Sequence, residues 1–497
     1  MKRSLGLSLG MAATLGACAK PPVSPKFLQA SGNDLPQSQT VDPGDGPSGP
    51  NTANVGSSPT LGTAPGSTPG PTSSVGPAPG TNPGPNTIPP VSGKPGGVIG
   101  AYFVEWGVYG RTYEIDNIPW NKINHLIYAF VPICGNQDSL KAANPTGWDT
   151  LQKECVGKQK FDITIHDTFA ALAAPHNTYA KLAAQKKLFP NVKILPSIGG
   201  WTLSDGFFEM ASTPTNRAIF IKSCIKFLQT YDFFDGIDID WEYPGGKGAS
   251  ATLGSAADKA NHLALMTELR AALDTLGAAK KRAYMITSAV GAGPANIGNV
   301  DYKSLYANPS HPLIDLIFAM TYDYYGAWSG LRSHQAALYP RDVALSPGFS
   351  ASETMSNMMT AGVPASHLVM GVASYGRAWQ GVTSPTPLSS SLSDLSGTAF
   401  AMETGMWEAG ILDYKFIVTK FKGATGWTNT YDKKAKAPYL WSASLKKLIS
   451  YEDTCSVQAK VDYAAEKGLA GTFMWELDSD NGDLMNVMSG AKATGCE

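Results

Sequence analysis

The strongest constraint on the fold is the stretch Phe234–Pro244, which reads FDGIDIDWEYP. If it is extended, its period of two places apolar side chains on one face and the carboxyl groups of Asp238, Asp240 and Glu242 on the other. A strand inside a parallel sheet is normally apolar on both faces, so three carboxyl groups require solvent, a metal ion or catalysis to explain them. The letters YPGG then end the strand and leave Glu242 at its carboxyl end, where barrel enzymes carry catalytic groups. The stretch therefore indicates a catalytic strand, with a solvated edge strand as the alternative.

Neighbouring carboxyl groups on this face would lie roughly 6.6 Å apart and would repel each other by about 2.5 kcal/mol at an effective dielectric constant of roughly 20. Because that repulsion corresponds to nearly two pK units, the row cannot be fully ionised at neutral pH. We predict that Glu242, at the end of the row, holds a proton and acts as a general acid. A Ca²⁺ or Mg²⁺ site is the competing interpretation, and it is less favoured because such sites usually draw oxygens from flexible loops.

Beyond Val98 the chain alternates eight short apolar runs with helix-like segments. Such alternation predicts a parallel sheet, and eight repeats predict an α/β fold of the (β/α)8 TIM barrel type. The predicted strands are Val98–Glu105, Ile123–Val131, Val192–Ile198, Asp235–Glu242, Ala283–Val290, Ile314–Tyr322, His367–Ser374 and Leu469–Glu476. About ninety residues separate the last two strands, far more than one helix and its loops need, so we predict a small α+β insertion over residues 378–447.

The first residues read as an export signal. Lys2 and Arg3 precede a short apolar run, and Leu15-Gly16-Ala17-Cys18 is similar to a bacterial lipobox, in which Cys18 becomes lipidated. We therefore expect a lipoprotein signal over residues 1–18, an exported protein anchored on the bacterial cell envelope, and contact with membrane only through that lipid. An ordinary secretory signal is the alternative. Residues 19–95 are rich in Pro, Gly, Ser and Thr and cannot build a core, so we predict a disordered tether.

The pattern DGxDxDxE followed by Tyr-Pro resembles the signature of the family 18 glycoside hydrolases, the chitinases and their relatives. The resemblance covers the chain from about Val98 onwards and is greatest to the bacterial chitinase A type, so it implies a catalytic barrel over residues 96–497. It implies that Glu242 is the acid and later the base, and that Asp240 stabilises the acetamido group of the substrate. Asp238 would share a proton with Asp240. In this family the acetamido oxygen of the sugar is the nucleophile.

Further segments are similar to elements of the same family. Met320-Thr321-Tyr322-Asp323 implies that Tyr322 donates to the acetamido carbonyl and that Asp323 binds the sugar, while Tyr375-Gly376-Arg377 implies two more cleft residues. Ser197-Ile198-Gly199-Gly200-Trp201 matches the element of the third strand, whose glycines would allow close approach of the backbone to the sugar or to the fourth strand. Aromatic side chains near strand ends would stack on sugar rings, although each could instead belong to the core. These are Tyr102, Trp106, Trp201, Trp328, Trp407 and Trp475.

A net charge of −1 gives no argument for nucleic acid or an anionic surface, and a neutral polymer is a natural partner. No clustered Cys/His pattern proposes a metal site, so we expect no metal and no cofactor, and we expect a monomer. The resemblance and the exported location favour a disulfide between Cys134 and Cys155. Sequence leaves open the state of Cys224, which is expected to be a buried thiol, and of Cys455 and Cys496, which could pair.

The resemblance implies a chitinase that hydrolyses β-1,4-N-acetylglucosamine linkages in chitin and chitooligosaccharides with retention of configuration. Two alternatives use the same fold: an endo-N-acetylglucosaminidase acting on glycoproteins, and a chitin-binding lectin without hydrolytic activity. The presence of Glu242 favours an enzyme over a lectin, and the aromatic row favours a long polymer over a glycoprotein.

Overall fold

The computed structural model describes residues 97–329, 332–341, 347–383, 398–403 and 406–496. The predicted signal, Cys18 and the predicted tether lie outside the described residues. Within those ranges, we find no helix with the length and apolar character needed to cross a membrane.

Eight parallel strands close into a barrel, which confirms the predicted α/β fold and all eight predicted strand positions. Going round the barrel the order is β1, β14, β7, β6, β5, β4, β3 and β2. The barrel strands are β1 (Val98–Val104), β2 (His125–Val131), β3 (Lys193–Gly199), β4 (Gly236–Asp240), β5 (Met285–Gly291), β6 (Leu316–Met320), β7 (Leu368–Ala373) and β14 (Gly471–Trp475). Most of the observed strands are shorter than predicted, and residues are lost at the start, at the end or at both ends of the predicted ranges.

All the described helices but one surround the barrel, and the exception, the helix Tyr414–Lys420, packs beside the sheet of the insertion. The helices are α1 (Asp138–Ala143), α2 (Pro145–Glu154), α3 (Thr168–Leu172), α4 (Thr178–Leu188), α5 (Asp205–Ala211), α6 (Pro214–Thr230), α7 (Asp258–Lys280), α8 (Pro294–Gly298), α9 (Tyr302–Leu305), α10 (Ala351–Thr360), α11 (Tyr414–Lys420), α12 (Thr454–Glu466) and α13 (Asp483–Met488).

The alternating side chains of strand β4 face the two sides of the barrel wall. Ile237 and Ile239 are fully buried in the core between the barrel and the helices, whereas Asp238 and Asp240 point into the barrel.

The predicted α+β insertion is present between β7 and β14. Its antiparallel sheet has the order β10, β8, β13, β12 and β11, with β9 paired to β8. The strands are β8 (Tyr375–Gln380), β9 (Thr398–Ala399), β10 (Ile411–Asp413), β11 (Thr428–Asp432), β12 (Ala437–Ser442) and β13 (Lys447–Ser450), and α11 packs beside them. The sheet extends beyond the predicted limits of 378 and 447 because β8 follows β7 after one residue, Ser374, so the insertion begins at the rim of the barrel.

Two disulfides stabilise the described chain. Cys134 and Cys155 pair across the excursion that follows β2, and Cys455 in α12 pairs with Cys496. Cys224 is a free, fully buried thiol on α6. Sequence had left open the pairing of Cys455 with Cys496, because these residues are 41 positions apart and nothing local marks them as partners.

Candidate active site

The deepest carboxyl group of the acidic row, Asp238, is fully buried and held by three hydroxyl groups. Ser197 Oγ donates to it at 2.6 Å, Thr287 Oγ1 at 2.5 Å and Tyr102 Oη at 3.1 Å. The first two donors are the register partners of Asp238 on β3 and β5, so parallel pairing brings them to the carboxylate. Burial raises the pKa of Asp238, and the three hydrogen bonds oppose that shift. Asp238 is therefore a buried carboxyl group held in place by three hydroxyl donors.

Asp240 has a contrasting environment one step along the same face. It is 3% exposed, and its Oδ1 atom makes no hydrogen bond within the described part of the chain. Burial raises the pKa of Asp240 well above its usual range, and repulsion from Glu242 and Asp238 raises it further. The sequence argument that the row cannot be fully ionised thus has a structural counterpart, because burial and repulsion both disfavour a negative charge on Asp240.

Glu242 lies just beyond the end of β4, at the wall of a large cavity. Its backbone N–H donates to Ser204 Oγ at 2.9 Å, and that hydroxyl in turn approaches the carbonyl oxygens of Gly200 and Asp240. The phenol of Tyr243 also hydrogen-bonds to the Glu242 side chain. The chain around Glu242 is consequently fixed by contacts with the loop that follows β3.

That loop explains the predicted pair of glycines. Gly199 has φ of +111°, and a Cβ atom there would lie 2.2 Å from the carbonyl oxygen of Asp240. The N–H of Gly200 donates to that carbonyl at 2.8 Å. The expected close approach to the fourth strand is therefore present, and it places the loop that carries Trp201 beside Glu242.

A further part of the cavity wall is formed by residues that follow β6 and by β8. Arg377 donates to Asp323 through Nε and Nη2, both at 2.7 Å, and the guanidinium group lies 4.5 Å from the centre of the Trp328 ring. Tyr375 also contacts Asp323 through its phenol. Arg377 is 7% exposed. Its bidentate ion pair with Asp323 is therefore a buried feature of the cleft and not a surface ion pair. Tyr322 lies between this wall and the acidic row.

Aromatic rings form the floor. Trp475, the last residue of β14, stacks on Phe130 with ring centres 5.6 Å apart and planes 22° apart. Its ring also lies 5.3 Å from Tyr102 and 6.5 Å from Trp106. Phe130 had not been selected from the sequence, because it follows an ordinary strand pattern and nothing marks it as different from a core residue.

These walls enclose one cavity of about 630 Å³. Eleven of the site residues proposed from the sequence line it: Tyr102, Trp106, Trp201, Asp240, Glu242, Tyr322, Asp323, Trp328, Tyr375, Arg377 and Trp475. Asp238 lies beneath the surface of the cavity, under Asp240. The prediction that Trp407 lines the cleft is not supported, because its indole N–H donates to Asp413 at 3.1 Å and its ring packs against Gly110 and Arg111. Trp407 therefore packs against Arg111, which lines the cavity, and does not line the cavity itself.

One charged cluster of the cavity was missed by sequence reasoning. Arg111 binds Asp413 through Nε at 3.0 Å and Nη2 at 2.9 Å, and it lies 3.2 Å from Glu476 and 3.6 Å from Asp478. Burial raises the pKa of Glu476 to about 8 and that of Asp478 to about 6, with repulsion among the carboxyl groups adding to both shifts and Arg111 opposing them. Two signals were available: Tyr109-Gly110-Arg111 repeats the tripeptide at 375–377, and Glu476 directly follows the last strand.

A second missed group is Glu408, which also lines the cavity. Burial raises its pKa to about 7, while Arg377 lowers it and Asp323 raises it. No feature of the sequence around Glu408 distinguishes it, because it lies in an irregular segment of the insertion that packs against the cleft only in the folded chain.

The comparisons with known proteins agree with this geometry. Residues 98–480 match the glycosyl hydrolases family 18. The chain is 40% identical over 445 residues to chitinase A of Pseudoalteromonas piscicida, covering 79% of this chain and 52% of that protein. It is 39% identical over 408 residues to the chitinase of Autographa californica nuclear polyhedrosis virus, covering 79% and 72%. The chain thus spans about half the length of the first relative and about seven tenths of the second.

Among solved structures, chitinase ChiA74 from Bacillus thuringiensis superposes with a TM-score of 0.69 at 29% sequence identity. The alignment covers 79% of this chain and 68% of that chain. The similarity therefore extends over the barrel and its insertion, the part of the chain that contains the cavity and the acidic row.

Proposed function

This chain belongs to family 18 of the glycosyl hydrolases, and from that premise we propose that it is a chitinase, cleaving the β-1,4 linkages between N-acetylglucosamine units of chitin and chitooligosaccharides. The observation that carries the proposal is the row of three carboxyl groups formed by Asp238 and Asp240 of β4 and by Glu242 just beyond it. Glu242 lies at the wall of a cavity that has an aromatic floor. Such a floor fits the apolar faces of sugar rings, and the polymer of these sugars is uncharged.

The placement of the carboxyl groups supports a nucleophile supplied by the substrate. A retaining glycosidase with a protein nucleophile needs a second carboxylate about 5 to 5.5 Å from the acid and on the other side of the sugar. Asp240 is the last residue of β4 and Glu242 follows two residues later, so both carboxyl groups belong to the same wall of the cavity. Asp323, which follows β6, is engaged by Arg377 through two bonds of 2.7 Å. We therefore assign the attack to the 2-acetamido oxygen of the sugar.

The steps follow from these positions. Glu242 donates its proton to the glycosidic oxygen, the bond from that oxygen to C1 breaks, and the acetamido oxygen forms a new bond to C1. Positive charge then develops on the acetamido group, where Asp240 stabilises it by sharing its proton with Asp238. Tyr322 orients the acetamido oxygen. Water, deprotonated by Glu242, finally attacks C1, the bond between C1 and the acetamido oxygen breaks, and the β configuration is restored.

The remaining wall residues hold the chain of sugars. Trp475 supplies a flat surface beneath the sugar whose bond is broken, and Trp201 and Trp328 line the same cavity. Asp323 and Arg377 present hydrogen-bonding groups that are already fixed before substrate arrives, so little ordering remains to be done on binding. The products we expect are chitooligosaccharides.

Partly acetylated chitosan tests the mechanism directly. Because the acetamido group must occupy the subsite on the non-reducing side of the broken bond, every new reducing end should be N-acetylglucosamine, whereas new non-reducing ends should be of either kind. The ends are sequenced by mass spectrometry, and proton NMR of the first products should show the β anomer. Glucosamine at a substantial share of the new reducing ends, or an initial α product, would contradict attack by the substrate.

Parallel assays separate the alternatives. Crystalline chitin and reducing-end-labelled chitooligosaccharides should be cleaved, while a glycoprotein carrying N-linked sugars should not. Release of sugar from the glycoprotein with no cleavage of chitin would favour the endo-N-acetylglucosaminidase, and binding to chitin without any cleavage would favour the lectin.

We also propose that the protein is exported and lipidated on Cys18. Support comes from the residues Leu15-Gly16-Ala17-Cys18 and from the two disulfides of the barrel, which form and persist in oxidising compartments outside the cytosol. In this proposal residues 19–95 serve as the tether between the lipid and the barrel.

A further inference from the structure

Gln335 is a fully buried amide that joins the barrel to its insertion behind the cavity wall. Its Oε1 atom accepts a hydrogen bond from the backbone N–H of Asp323 at 3.1 Å, and its Nε2 atom donates to the carbonyl oxygen of Tyr375 at 2.9 Å. Its own backbone is also engaged, since its N–H donates to Ser450 Oγ at 2.9 Å and its carbonyl accepts from the N–H of Tyr324. One side chain thus links the loop that follows β6 to strand β8.

The residue that Gln335 holds has an unfavourable backbone conformation. Asp323 has φ of +57°, in the left-handed region, which costs a residue other than glycine on the order of 1 kcal/mol or more. Two sets of contacts fix this conformation: the backbone N–H binds Gln335, and the carboxylate binds Arg377. Because Tyr322 directly precedes Asp323, the turn that these contacts hold also sets where the Tyr322 phenol lies in the cavity.

We propose that Gln335 is a positioning residue for the hydrolytic reaction, acting through Asp323 and Tyr375 without touching the substrate. Its amide keeps the Tyr322–Asp323 turn and the start of the insertion sheet in one fixed relation, so that the acetamido-binding group and the Asp323–Arg377 pair face the acidic row together. Gln335 does not line the cavity, whereas Tyr322, Asp323, Tyr375 and Arg377 do.

The chemistry of the amide suits this role. Glutamine has an acceptor oxygen and a donor nitrogen at the end of one side chain, which is what an N–H group and a carbonyl oxygen require. Methionine has a similar shape but would leave both of those buried backbone groups without their partner. Glutamate would keep an acceptor for Asp323 but would place a second acceptor against the Tyr375 carbonyl.

The inference rests on the proposed function, and its test uses the full chain with a soluble chitooligosaccharide as substrate. For Gln335→Met we expect kcat to fall by about 30- to 100-fold, since a displacement of about 1 Å at a catalytic group can cost about 10²-fold. KM should change by less than about 3-fold, because the aromatic floor supplies most of the ground-state binding and is untouched. Gln335→Glu should lose about 10-fold in kcat, again with little change in KM.

The matched control is Gln137→Met. Gln137 is an equally buried amide, 1% exposed, whose Nε2 atom donates to the carbonyl of Ile133, and it lies outside the cavity wall. Each kcat value is divided by the folded fraction measured by circular dichroism, so that lost stability is not read as lost positioning. The control should keep wild-type kcat while losing some stability.

The outcomes distinguish this inference from the function on which it rests. A wild-type protein that cleaves no chitooligosaccharide overturns both. An active wild type whose two Gln335 variants keep kcat within about 2-fold overturns the positioning role alone, as does an equal fall in kcat in Gln137→Met. If Gln335→Met does not fold, the isosteric Gln335→Glu decides by the same criterion.

Discussion

At the residue scale, the three carboxyl groups of β4 differ in what surrounds them more than in their chemistry. Asp238 receives three hydroxyl hydrogen bonds, one buried oxygen of Asp240 has no hydrogen-bond partner among the described residues, and Glu242 lies at the cavity wall beyond the strand end. These environments separate the roles of the groups, because hydrogen bonds favour the carboxylate and burial favours the acid. The role that we propose for Glu242, proton donation, fits its position just beyond β4 at the wall of the cavity.

Glu242→Gln tests that assignment. The amide keeps the shape of the side chain but cannot donate a proton to the glycosidic oxygen, so we expect kcat to fall by roughly 10² to 10⁴ or more with binding of chitooligosaccharide largely unchanged. Steady-state kinetics give kcat, and isothermal titration calorimetry gives the affinity. A variant that turns over at near wild-type rate would show that another group is the acid.

A second prediction at this scale concerns the buried pair Glu476 and Asp478. Burial raises the pKa of Glu476 to about 8, above an unfolded value of roughly 4.3, so the folded state holds more protons between those values. Stability should therefore fall as pH rises from about 4.3 to about 8 and should then level off. In Glu476→Gln this contribution disappears, so the loss between pH 5 and pH 8 should be smaller by on the order of 2 kcal/mol.

Urea unfolding of both proteins at pH 5 and pH 8 measures this difference. Contributions from titrating groups outside the cluster of Arg111, Asp413 and Asp478 are common to the two proteins and cancel. Equal pH dependence in wild type and Glu476→Gln would mean that Glu476 is ionised in the folded state at pH 5, in balance with Arg111.

What the sequence could and could not predict at this scale follows from distance along the chain. The carboxyl groups of β4 are two residues apart, so a strand period alone placed them on one face. The cluster of Arg111, Asp413, Glu476 and Asp478 combines three distant segments, and only barrel closure brings them together. Trp407 was assigned to the cleft because of its residue type, but its position behind Arg111 depends on the packing of an irregular segment.

At the element scale, a buried ion pair fastens α12 to the barrel. Lys460 of α12 and Glu452 are each 1% exposed or less and lie 2.8 Å apart. Lys460 also donates to the carbonyl of Gly371 at 2.9 Å and to that of Thr321 at 3.3 Å, and Glu452 accepts from the N–H of Ala373. Helix α12, β7 and the end of β6 are therefore joined by one charged pair beneath the Tyr322 turn.

Removing one member should be costly. Lys460→Met leaves the Glu452 carboxylate buried without its cation, and we expect the free energy of unfolding to fall by about 3 to 5 kcal/mol. The double change Lys460→Met with Glu452→Leu removes both charges and should recover more than half of that loss. Urea denaturation of the three proteins gives the values, and a double variant less stable than Lys460→Met would contradict the argument.

The insertion shows the limit of sequence patterns at this scale. Its existence followed from the length between the last two barrel strands, but its edges did not, because β8 begins one residue after β7 and continues the same apolar pattern. After β7 the chain leaves the barrel and enters the insertion sheet, where β8 pairs antiparallel with β10 and β13. Those partner strands are distant in sequence, so local patterns do not reveal where the insertion begins.

At the scale of the whole molecule, the barrel was predictable because eight apolar runs of similar length repeat with helical segments between them, and closure follows from that number. The same reasoning separates the chain into a part that can bury a core and a part that cannot. The described wall of the cavity is built from residues between Tyr102 and Ser479.

Cys18→Ser tests whether the proposed lipid anchor and the catalytic barrel act independently of each other. Without the thiol no lipid can be attached, so labelled fatty acid should appear on the wild-type protein and be absent from the variant, which should be released into the medium. Because residues 19–95 would span only ~50 Å as a flexible coil and lack the apolar side chains needed to form a packed domain, the loss of the anchor should not reach the barrel. The kcat and KM values on soluble chitooligosaccharides should therefore stay within about 2-fold of wild type, whereas label on the variant, or a larger change in kcat, would contradict the proposal.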